Sequence, residues 1–186
     1  MRISRDQAQQ NHDHVVTTAA KLFRERGFDG VAVGDLMKAA GFTHGGFYNH
    51  FKSKDELSAQ ALDQAFRQMD DHRAGVASLD DLLSQYLSEA ARRAPGKTCP
   101  AAALAGDVAR QGEPVKQVFA QGFDRMVASM AGRLPEGPEA RGEAIALLAR
   151  MVGALALARA MPEGSELGGE ILAAALDGCR KDVARA

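Results

Sequence analysis

The chain has 186 residues, of which 46% are hydrophobic and 25% charged, and its formal net charge is −1. This composition is typical of a globular protein with a sizeable core, and two cysteines far apart exclude a disulfide-stapled scaffold. The first fifteen residues are polar and mixed in charge, and the longest apolar run, residues 145–161, contains two arginines. We therefore expect a cytoplasmic protein with no signal peptide and no membrane-spanning helix.

The small net charge conceals an uneven distribution. Residues 1–54 contain eight Lys and Arg against five Asp and Glu, whereas the rest of the chain contains 15 against 19. A basic segment attached to an acidic body is typical of a phosphate-binding module joined to a second domain. We predict two domains, residues 1–53 and residues 54–186. Arg2 and Arg5 either extend the basic surface as an arm or belong to a frayed terminus.

The first predicted helix spans residues 6–26. Its apolar side chains recur at the spacing of one helical face, and they are Val15, Ala19, Leu22 and Phe23. Gly27 ends the helix, and a short turn that begins at Phe28 leads to the next one. We interpret these apolar residues as core.

Two short helices joined by a tight turn are predicted next, over residues 33–40 and about 44–50. Gly41 follows the last apolar position of the first helix, where a left-handed residue is needed and glycine adopts it at least cost. Thr43 is placed to cap the second helix through its hydroxyl group. The pattern therefore predicts a helix-turn-helix.

The outward face of the second helix carries polar groups and no acid, because Phe47 and Phe51 point inward. Imidazole, amide and hydroxyl groups can hydrogen-bond to base edges and phosphates, and two lysines follow within reach of the same strand. Consecutive glycines are costly inside a helix, but they let its N-terminus approach another backbone. The spacing alone also fits an ordinary αα-hairpin. The candidate DNA-binding residues are Thr43, His44, Gly45, Gly46, Tyr48, Asn49, His50, Lys52 and Lys54.

Residues 41–57, GFTHGGFYNHFKSKDEL, resemble the recognition segment of the TetR/AcrR family of bacterial transcriptional regulators. That segment has an aromatic-Tyr-x-His-Phe run followed by a Ser-Lys-x-Glu-Leu helix start, and the matching residues are Phe47, Tyr48, His50, Phe51, Ser53, Lys54, Glu56 and Leu57. The run LFRERGFDG also matches, so the resemblance covers about residues 11–57. It implies a homodimer that binds a palindromic operator in double-stranded DNA, with two half-sites read by two recognition helices.

The sequence departs from the family pattern in two respects. Met37 stands where the family commonly has a small alanine, so the spacing of the two helices is expected to differ slightly. Val33 and Gly34 stand where many members carry a polar or basic residue that touches DNA. These departures put a DNA contact from the first of the two helices in doubt.

From Ser53 onward the sequence predicts helices and no strand. Ser53 and Glu56 have the spacing of a capping box, which starts a long helix. The predicted helices cover residues 54–72, 78–93, 100–111, 114 to about 134, 139–161 and 165–184. We therefore predict an all-α fold of about nine helices. It consists of an N-terminal three-helix helix-turn-helix domain and a C-terminal helical effector-binding and dimerisation domain.

The last two predicted helices are apolar on nearly every side. Such helices must be covered all round, so we infer that two helices from each of two subunits form a dimer interface. The alternative is burial within one monomer. Resemblance to the family implies the same dimer, and the expected interface residues are Ile145, Leu148, Val152, Leu155, Leu172 and Leu176.

The resemblance also implies that the middle helices enclose an effector. Apolar side chains with a few polar groups suit a small apolar ligand, although for each residue taken singly ordinary core is the preferred interpretation. The sequence does not identify the inducer. The candidate pocket residues are Phe66, Met69, Tyr86, Cys99, Leu104, Phe119, Phe123 and Met126.

Cys99 lies at the predicted start of a helix, two residues after Lys97. The helix dipole and the lysine favour a thiolate there, so the residue can act as a switch that is oxidised or alkylated. Its surroundings also resemble the cysteine-bearing helix of an electrophile-sensing branch of the family. The alternative is a small buried apolar cysteine, which is our interpretation of Cys179.

An enzyme is the rival class of function. The sequence contains no phosphate loop, no metal-ligand spacing and no nucleophile elbow. A thiol enzyme built on Cys99 would need a histidine partner, and all five histidines lie at or before residue 72. We therefore expect no catalytic residues, metal or cofactor. The preferred function is a repressor released by a small apolar ligand or by modification of Cys99. The alternative is a non-regulatory dimeric helical module for thiol-redox chemistry or ligand binding.

Overall fold

The computed structural model describes residues 4–185, and every regular element in that range is a helix. Arg2 lies outside the described residues. Two short 3-10 helices, His44–Asn49 and Pro95–Lys97, interrupt the α-helices. No helix in the described range is long and apolar enough to cross a membrane. The α-helices are α1 (Arg5–Arg26), α2 (Val33–Ala39), α3 (Lys54–Ala74), α4 (Leu79–Tyr86), α5 (Glu89–Arg93), α6 (Pro100–Val108), α7 (Glu113–Ala131), α8 (Ala140–Ala160) and α9 (Glu166–Val183).

The turn after α2 has the predicted geometry. Gly41 has a φ of 79°, so it occupies the left-handed region that glycine adopts without strain. Its N–H donates to the carbonyl of Lys38 at 3.0 Å, and the N–H of Phe42 donates to the carbonyl of Met37 at 2.8 Å. This pair of hydrogen bonds is a Schellman motif, and it fixes the direction in which the chain leaves α2.

The recognition segment differs from the prediction in two respects. Residues His44–Asn49 form a 3-10 helix where an α-helix was expected. Thr43 makes no side-chain capping bond; its carbonyl oxygen instead accepts from the N–H of Gly46 at 3.0 Å. Both differences follow from the two consecutive glycines, which have a low propensity for the α-helix. In so short a segment the chain instead forms the tighter i→i+3 hydrogen bonds of a 3-10 helix.

The capping box that starts α3 is confirmed in modified form. The hydroxyl of Ser53 accepts from the N–H of Glu56 at 3.1 Å. The carboxylate of Glu56 reaches back one residue further than usual, to the N–H of Lys52 at 2.7 Å. The start of α3 is therefore joined to the end of the recognition segment.

The prediction of one helix over residues 78–93 is wrong, because the helix is interrupted at Ser88. The Ser88 hydroxyl accepts from the N–H of Ala91 at 3.1 Å and donates to the carbonyl of Gln85 at 2.8 Å. A serine that serves as an N-cap begins a new helix, so α4 and α5 are separate short segments.

Three of the six expected interface residues are core residues of this chain. Leu148, Leu155 and Leu172 are at most 3% exposed, because α8 packs against α6, α7 and α9 of the same chain. They offer no surface to a second copy, which corrects that part of the prediction. Ile145 is 43% exposed, and Val152 and Leu176 are half-buried.

An apolar face remains uncovered on α8 and α9. Leu157 and Leu167 are more than half exposed, and neither was predicted to lie at the interface. Gly153 and Gly169 have open space where a Cβ atom would stand. Gly153 lies one helical turn before Leu157, so this part of α8 permits the close approach of another helix.

DNA-binding surface, effector cavity and relatives

The recognition segment presents most of the predicted DNA-binding residues to solvent. Phe47 and Phe51 are at most 2% exposed and anchor the segment to the core, as predicted. Tyr48 is 72% exposed. The other exposed candidates are Thr43, His44, Gly45, Asn49 and Lys52, whereas Gly46, His50 and Lys54 are half-buried. The structure therefore brings these side chains together on one edge of the N-terminal domain.

The half-buried His50 packs against the scaffold. Its ring centroid lies 6.3 Å from that of His12 on α1 and 6.4 Å from that of Phe42. These aromatic contacts brace the recognition segment against α1. His50 therefore supports the surface from below, while His44 and Tyr48 form its exposed part.

Both departures from the family pattern are accommodated by glycine. A Cβ atom on Gly34 would stand 3.9 Å from Nδ1 of His44, so the start of α2 lies beside the His44 ring. Met37 is fully buried, and its Cε would lie 3.7 Å from a Cβ atom on Gly46. The larger Met37 side chain therefore fills the space beneath the recognition segment.

The lysines of this surface are free to meet an anion. Over residues 4–185 no carboxylate lies within ion-pairing distance of the Lys52 or Lys54 ammonium group. The Glu56 carboxylate, which is close in sequence, accepts from the backbone of Lys52 instead. Unpaired exposed ammonium groups beside a polar helix face suit DNA phosphates.

A cavity of about 410 Å³ lies between α3, α4, α5 and the loop before α6. Its wall contains three of the eight predicted pocket residues, namely Met69, Tyr86 and Cys99. It also contains residues that were not predicted: Gln68, His72, Arg73, Val76, Leu82, Gln85, Ser88, Ala90, Ala91, Lys97, Thr98 and Leu155.

The other five predicted pocket residues lie outside this cavity. Phe66, Leu104 and Met126 are at most 1% exposed core residues. Phe119 stacks on Phe123 with ring centroids 6.2 Å apart, and it meets Phe66 edge-on at 5.7 Å. These side chains join α3 to α7, so they do not form the wall of the cavity described here.

Arg73 lines the cavity, and Arg24 and the half-buried Arg159 bind the loop beside it. Arg24 is 6% exposed and Arg73 is 7% exposed. The Nη2 atom of Arg159 donates to the carbonyl of Ala91 at 2.8 Å and to the Thr98 hydroxyl. Sequence reasoning missed all three because arginine is usually exposed. The available signal was their place within apolar helical stripes, since Arg73 lies four residues after Met69 and Arg159 four residues after Leu155.

Several polar atoms of this region have no hydrogen-bond partner among the described protein groups. They are the hydroxyl of Tyr86, Nε of Arg73, and Nε and Nη1 of Arg159. Burial raises the pKa of Tyr86 well above its usual value, and the nearby Cys99 adds to the rise while Arg159 and Arg73 oppose it. Tyr86 is therefore a neutral hydrogen-bond donor at physiological pH.

The two cysteines lie in different surroundings. Cys99 is 3% exposed, stands directly before α6 and lines the cavity. Cys179 is fully buried on α9, and burial raises the pKa of its thiol. Only the Cys99 thiol therefore faces a space that a small molecule can enter.

The loop before α6 joins the cavity to the N-terminal domain. Arg24 of α1 donates to the Thr98 carbonyl at 3.1 Å and to the Gln68 side chain at 3.0 Å. A Cβ atom on Gly96 would stand 2.5 Å from a carboxylate oxygen of Glu25, so this loop packs tightly against α1. Residues 4–185 hold no cluster of three or more His, Cys, Asp or Glu side chains suited to a metal ion.

Comparison with known proteins identifies the N-terminal part of the chain. Residues 15–61 match the profile described as bacterial regulatory proteins of the TetR family. The chain is 27% identical over 133 residues to the HTH-type transcriptional repressor DhaR of Mycobacterium sp. (strain GP1), covering 68% of this chain and 66% of DhaR. It is 36% identical over 59 residues to the HTH-type transcriptional regulator AcrR of Shigella flexneri, covering 32% and 27%.

A solved structure shares the whole fold. The crystal structure of E. coli NemR in its reduced form superposes with a TM-score of 0.75 at 20% identity, covering 92% of this chain and 96% of NemR. The likeness therefore extends through the helices that surround the cavity and through α8 and α9. Residues 15–61 thus match the TetR family of bacterial regulatory proteins, and the fold of the chain is similar to that of NemR.

Proposed function

We propose that this regulator is a cytoplasmic homodimeric repressor that binds a palindromic operator and releases it when its cavity is occupied or Cys99 is modified. Repression is supported by the name of DhaR, a transcriptional repressor. The observation that carries the proposal is the exposed recognition segment, on which His44, Tyr48 and Lys52 stand together without an acid.

The DNA contact follows from the geometry of that segment. His44 and Asn49 offer hydrogen bonds to base edges, and the Tyr48 hydroxyl and the lysines reach phosphates. Open space where a Cβ atom of Gly45 would stand leaves room for DNA backbone next to the start of the segment. The residues that specify sequence are thus His44 and Asn49, and the rest position the protein.

Dimerisation through exposed residues of α8 and α9 supplies the second recognition segment that a palindromic operator needs. Ile145, Leu157 and Leu167 are exposed in the single chain, and burying them against the same residues of a second copy removes apolar surface from water. Two recognition segments related by a two-fold axis then read two half-sites about one helical turn apart, or a multiple of that.

Release from DNA is proposed to begin at the cavity wall. Thr98 and Cys99 belong to that wall, and the Thr98 carbonyl is held by Arg24 of α1. A ligand or an adduct at Cys99 that displaces this loop changes the position of α1 and of the recognition segment braced against it. The crystal structure of NemR is described as a reduced form, and in this chain we propose Cys99 as the thiol that responds to oxidation or alkylation.

The test is selection of bound sequences from a randomised duplex library. The proposal predicts enrichment of a two-fold symmetric site, and insertion of five base pairs between its halves should abolish binding because the half-sites then face opposite sides of the helix. His44→Ala and Tyr48→Phe should each weaken binding to the selected site by about tenfold or more, with unchanged circular dichroism. Failure to enrich any site would instead favour a non-regulatory helical module.

A further inference from the structure

The polar groups of the cavity wall are all uncharged or basic. His72, Arg73 and Lys97 line it, and no Asp or Glu does. The remaining surface is largely apolar, with Met69 and Leu155 among the lining residues. A wall of this kind has a positive potential enclosed by low-dielectric surroundings, so it favours a ligand that carries negative charge.

Arg73 is held in place by its other contacts. One end of its guanidinium pairs with Asp70, which also accepts from Arg125 at 2.9 Å, so this carboxylate is shared between two cations. The Arg73 carbonyl accepts from Arg133 at 2.6 Å. Arg73 is only 7% exposed, and its buried Nε has no hydrogen-bond acceptor among the described protein groups. This N–H is a fixed, unused donor at the cavity.

Tyr86 supplies a second unused donor at the same cavity. Its hydroxyl is buried and makes no hydrogen bond of normal geometry to a described protein group, with the Cys99 thiol close by, and the residue lines the wall. A buried hydroxyl without a hydrogen bond is unfavourable, so it is stabilised by a ligand that accepts from it. Tyr86 and Arg73 line the same cavity, so its wall contains both donors.

We infer that the cavity binds a small apolar molecule carrying one carboxylate group, which accepts hydrogen bonds from Nε of Arg73 and the hydroxyl of Tyr86. The apolar part of the ligand packs on Met69, Val76 and Leu155. A cavity of about 410 Å³ accommodates an aliphatic or aromatic acid of modest size. This inference rests on the proposed ligand response and specifies the chemistry of its ligand.

The experiment uses octanoate and 1-octanol as probes, which share a chain length and differ in the anionic group. Binding to the full-length protein is measured by calorimetry in the absence of DNA, so the result is independent of operator recognition. Octanoate should bind saturably and at least about tenfold more tightly than 1-octanol, as expected for hydrogen bonds to a charged group. Bound octanoate should also slow the alkylation of Cys99 by N-ethylmaleimide.

Variants locate the carboxylate. Tyr86→Phe removes a hydroxyl that has no protein partner, so the fold should be retained while octanoate binding falls about tenfold or more and 1-octanol binding is unchanged. Arg73→Met should act in the same direction, and Arg67→Met, which alters an exposed arginine of the same helix, is the matched control. Equal affinity for the two probes, no saturable binding of octanoate, or full affinity in Tyr86→Phe would each overturn the inference.

If the inference fails while symmetric operator binding holds, the proposed regulator stands and its ligand belongs to another chemical class. If octanoate binds as expected but no operator is selected, the carboxylate site stands and the regulatory proposal fails. The two experiments therefore test the two proposals independently of each other.

Discussion

Arg24 and Thr98 are 74 positions apart in sequence and are joined by a hydrogen bond of 3.1 Å from the Arg24 guanidinium to the Thr98 carbonyl. Arg24 belongs to α1, which braces the recognition segment, and Thr98 belongs to the wall of the cavity. The Thr98 hydroxyl is also bound by Arg159 of α8. One threonine thus connects the DNA-binding domain, the cavity and the helix proposed to form the dimer.

Arg24→Met should uncouple the cavity from the operator. The change removes three hydrogen bonds of a buried side chain, so we expect a loss of about 1–3 kcal/mol in the free energy of unfolding. Operator affinity should be retained, while the ratio of affinities with and without an adduct on Cys99 falls toward one. Arg26→Met, at an exposed arginine of the same helical turn, should respond as the wild type does. An Arg24→Met protein with an unchanged ratio would place the signal path elsewhere.

Lys52→Ala should weaken operator binding nearly equally for all sequences. Its ammonium group is exposed and unpaired over the described residues, and it is placed to neutralise a phosphate. The slope of log affinity against log salt concentration should therefore fall in magnitude by about one. Fluorescence anisotropy at several salt concentrations measures this slope. Lys116→Ala, on the exposed side of α7, serves as the control, and an identical slope in both variants would remove Lys52 from the DNA contact.

Cys99→Ser should abolish release from DNA by a thiol electrophile, whereas Cys179→Ser should not. The reason is that Cys99 lines a cavity that N-ethylmaleimide can enter, while Cys179 is fully enclosed and burial raises the pKa of its thiol. Mass spectrometry of the treated wild type should show a single adduct, located on Cys99. Release of the Cys99→Ser protein at the wild-type dose would rule out the thiol switch.

Ile145→Arg should convert a dimer into a monomer. Ile145 is exposed on α8 and would meet apolar surface of the second copy, so the substitution buries an unpaired charge at a cost of about 3–5 kcal/mol. Sedimentation equilibrium should show the dissociation constant rising by about a hundredfold or more. Ala173→Arg, on the charged side of α9 between Glu170 and Asp177, should leave the association intact. Equal association in both variants would argue against this interface.

Alkaline pH should destabilise the wild type more than the Tyr86→Phe variant. Burial raises the pKa of Tyr86 above its usual 10.0, so the folded state resists its ionisation. The contribution to stability is complete below that usual value and is lost as pH rises through it, by up to about 1.4 kcal/mol per pH unit. Urea unfolding between pH 8 and 11 measures the difference. Parallel pH profiles would show that Tyr86 ionises freely in the folded state.

The parts of the fold that depend on local sequence signals could be predicted. Gly41 marks the end of α2 because its left-handed φ is a property of that single position, and Ser53 marks the start of α3 through a capping hydrogen bond. Ser88 carries the same kind of signal, but it lies inside a continuous apolar pattern. The pattern therefore masked the break between α4 and α5.

The parts that depend on long-range packing could not be predicted. The apolar stripes of α8 show that its faces are covered, but their period cannot tell a neighbouring helix of the same chain from one of a second copy. Leu148 and Ile145 are both apolar, yet only Leu148 is enclosed by its own chain. Burial of Arg24 and Arg73 likewise depends on partners tens of residues away. Arg24 donates to Gln68, and Arg73 shares the carboxylate of Asp70 with Arg125.

The division of residues 79–93 into two short helices has a consequence for how this regulator can change over evolutionary time. Segments of eight and five residues contain few internal hydrogen bonds, so reshaping them costs little, whereas α8 and α9 are long and packed together. The short pair forms one side of the cavity and contributes nothing to the recognition segment. Under the proposed function, substitutions there would alter which ligands the cavity binds while the recognition segment stays unchanged.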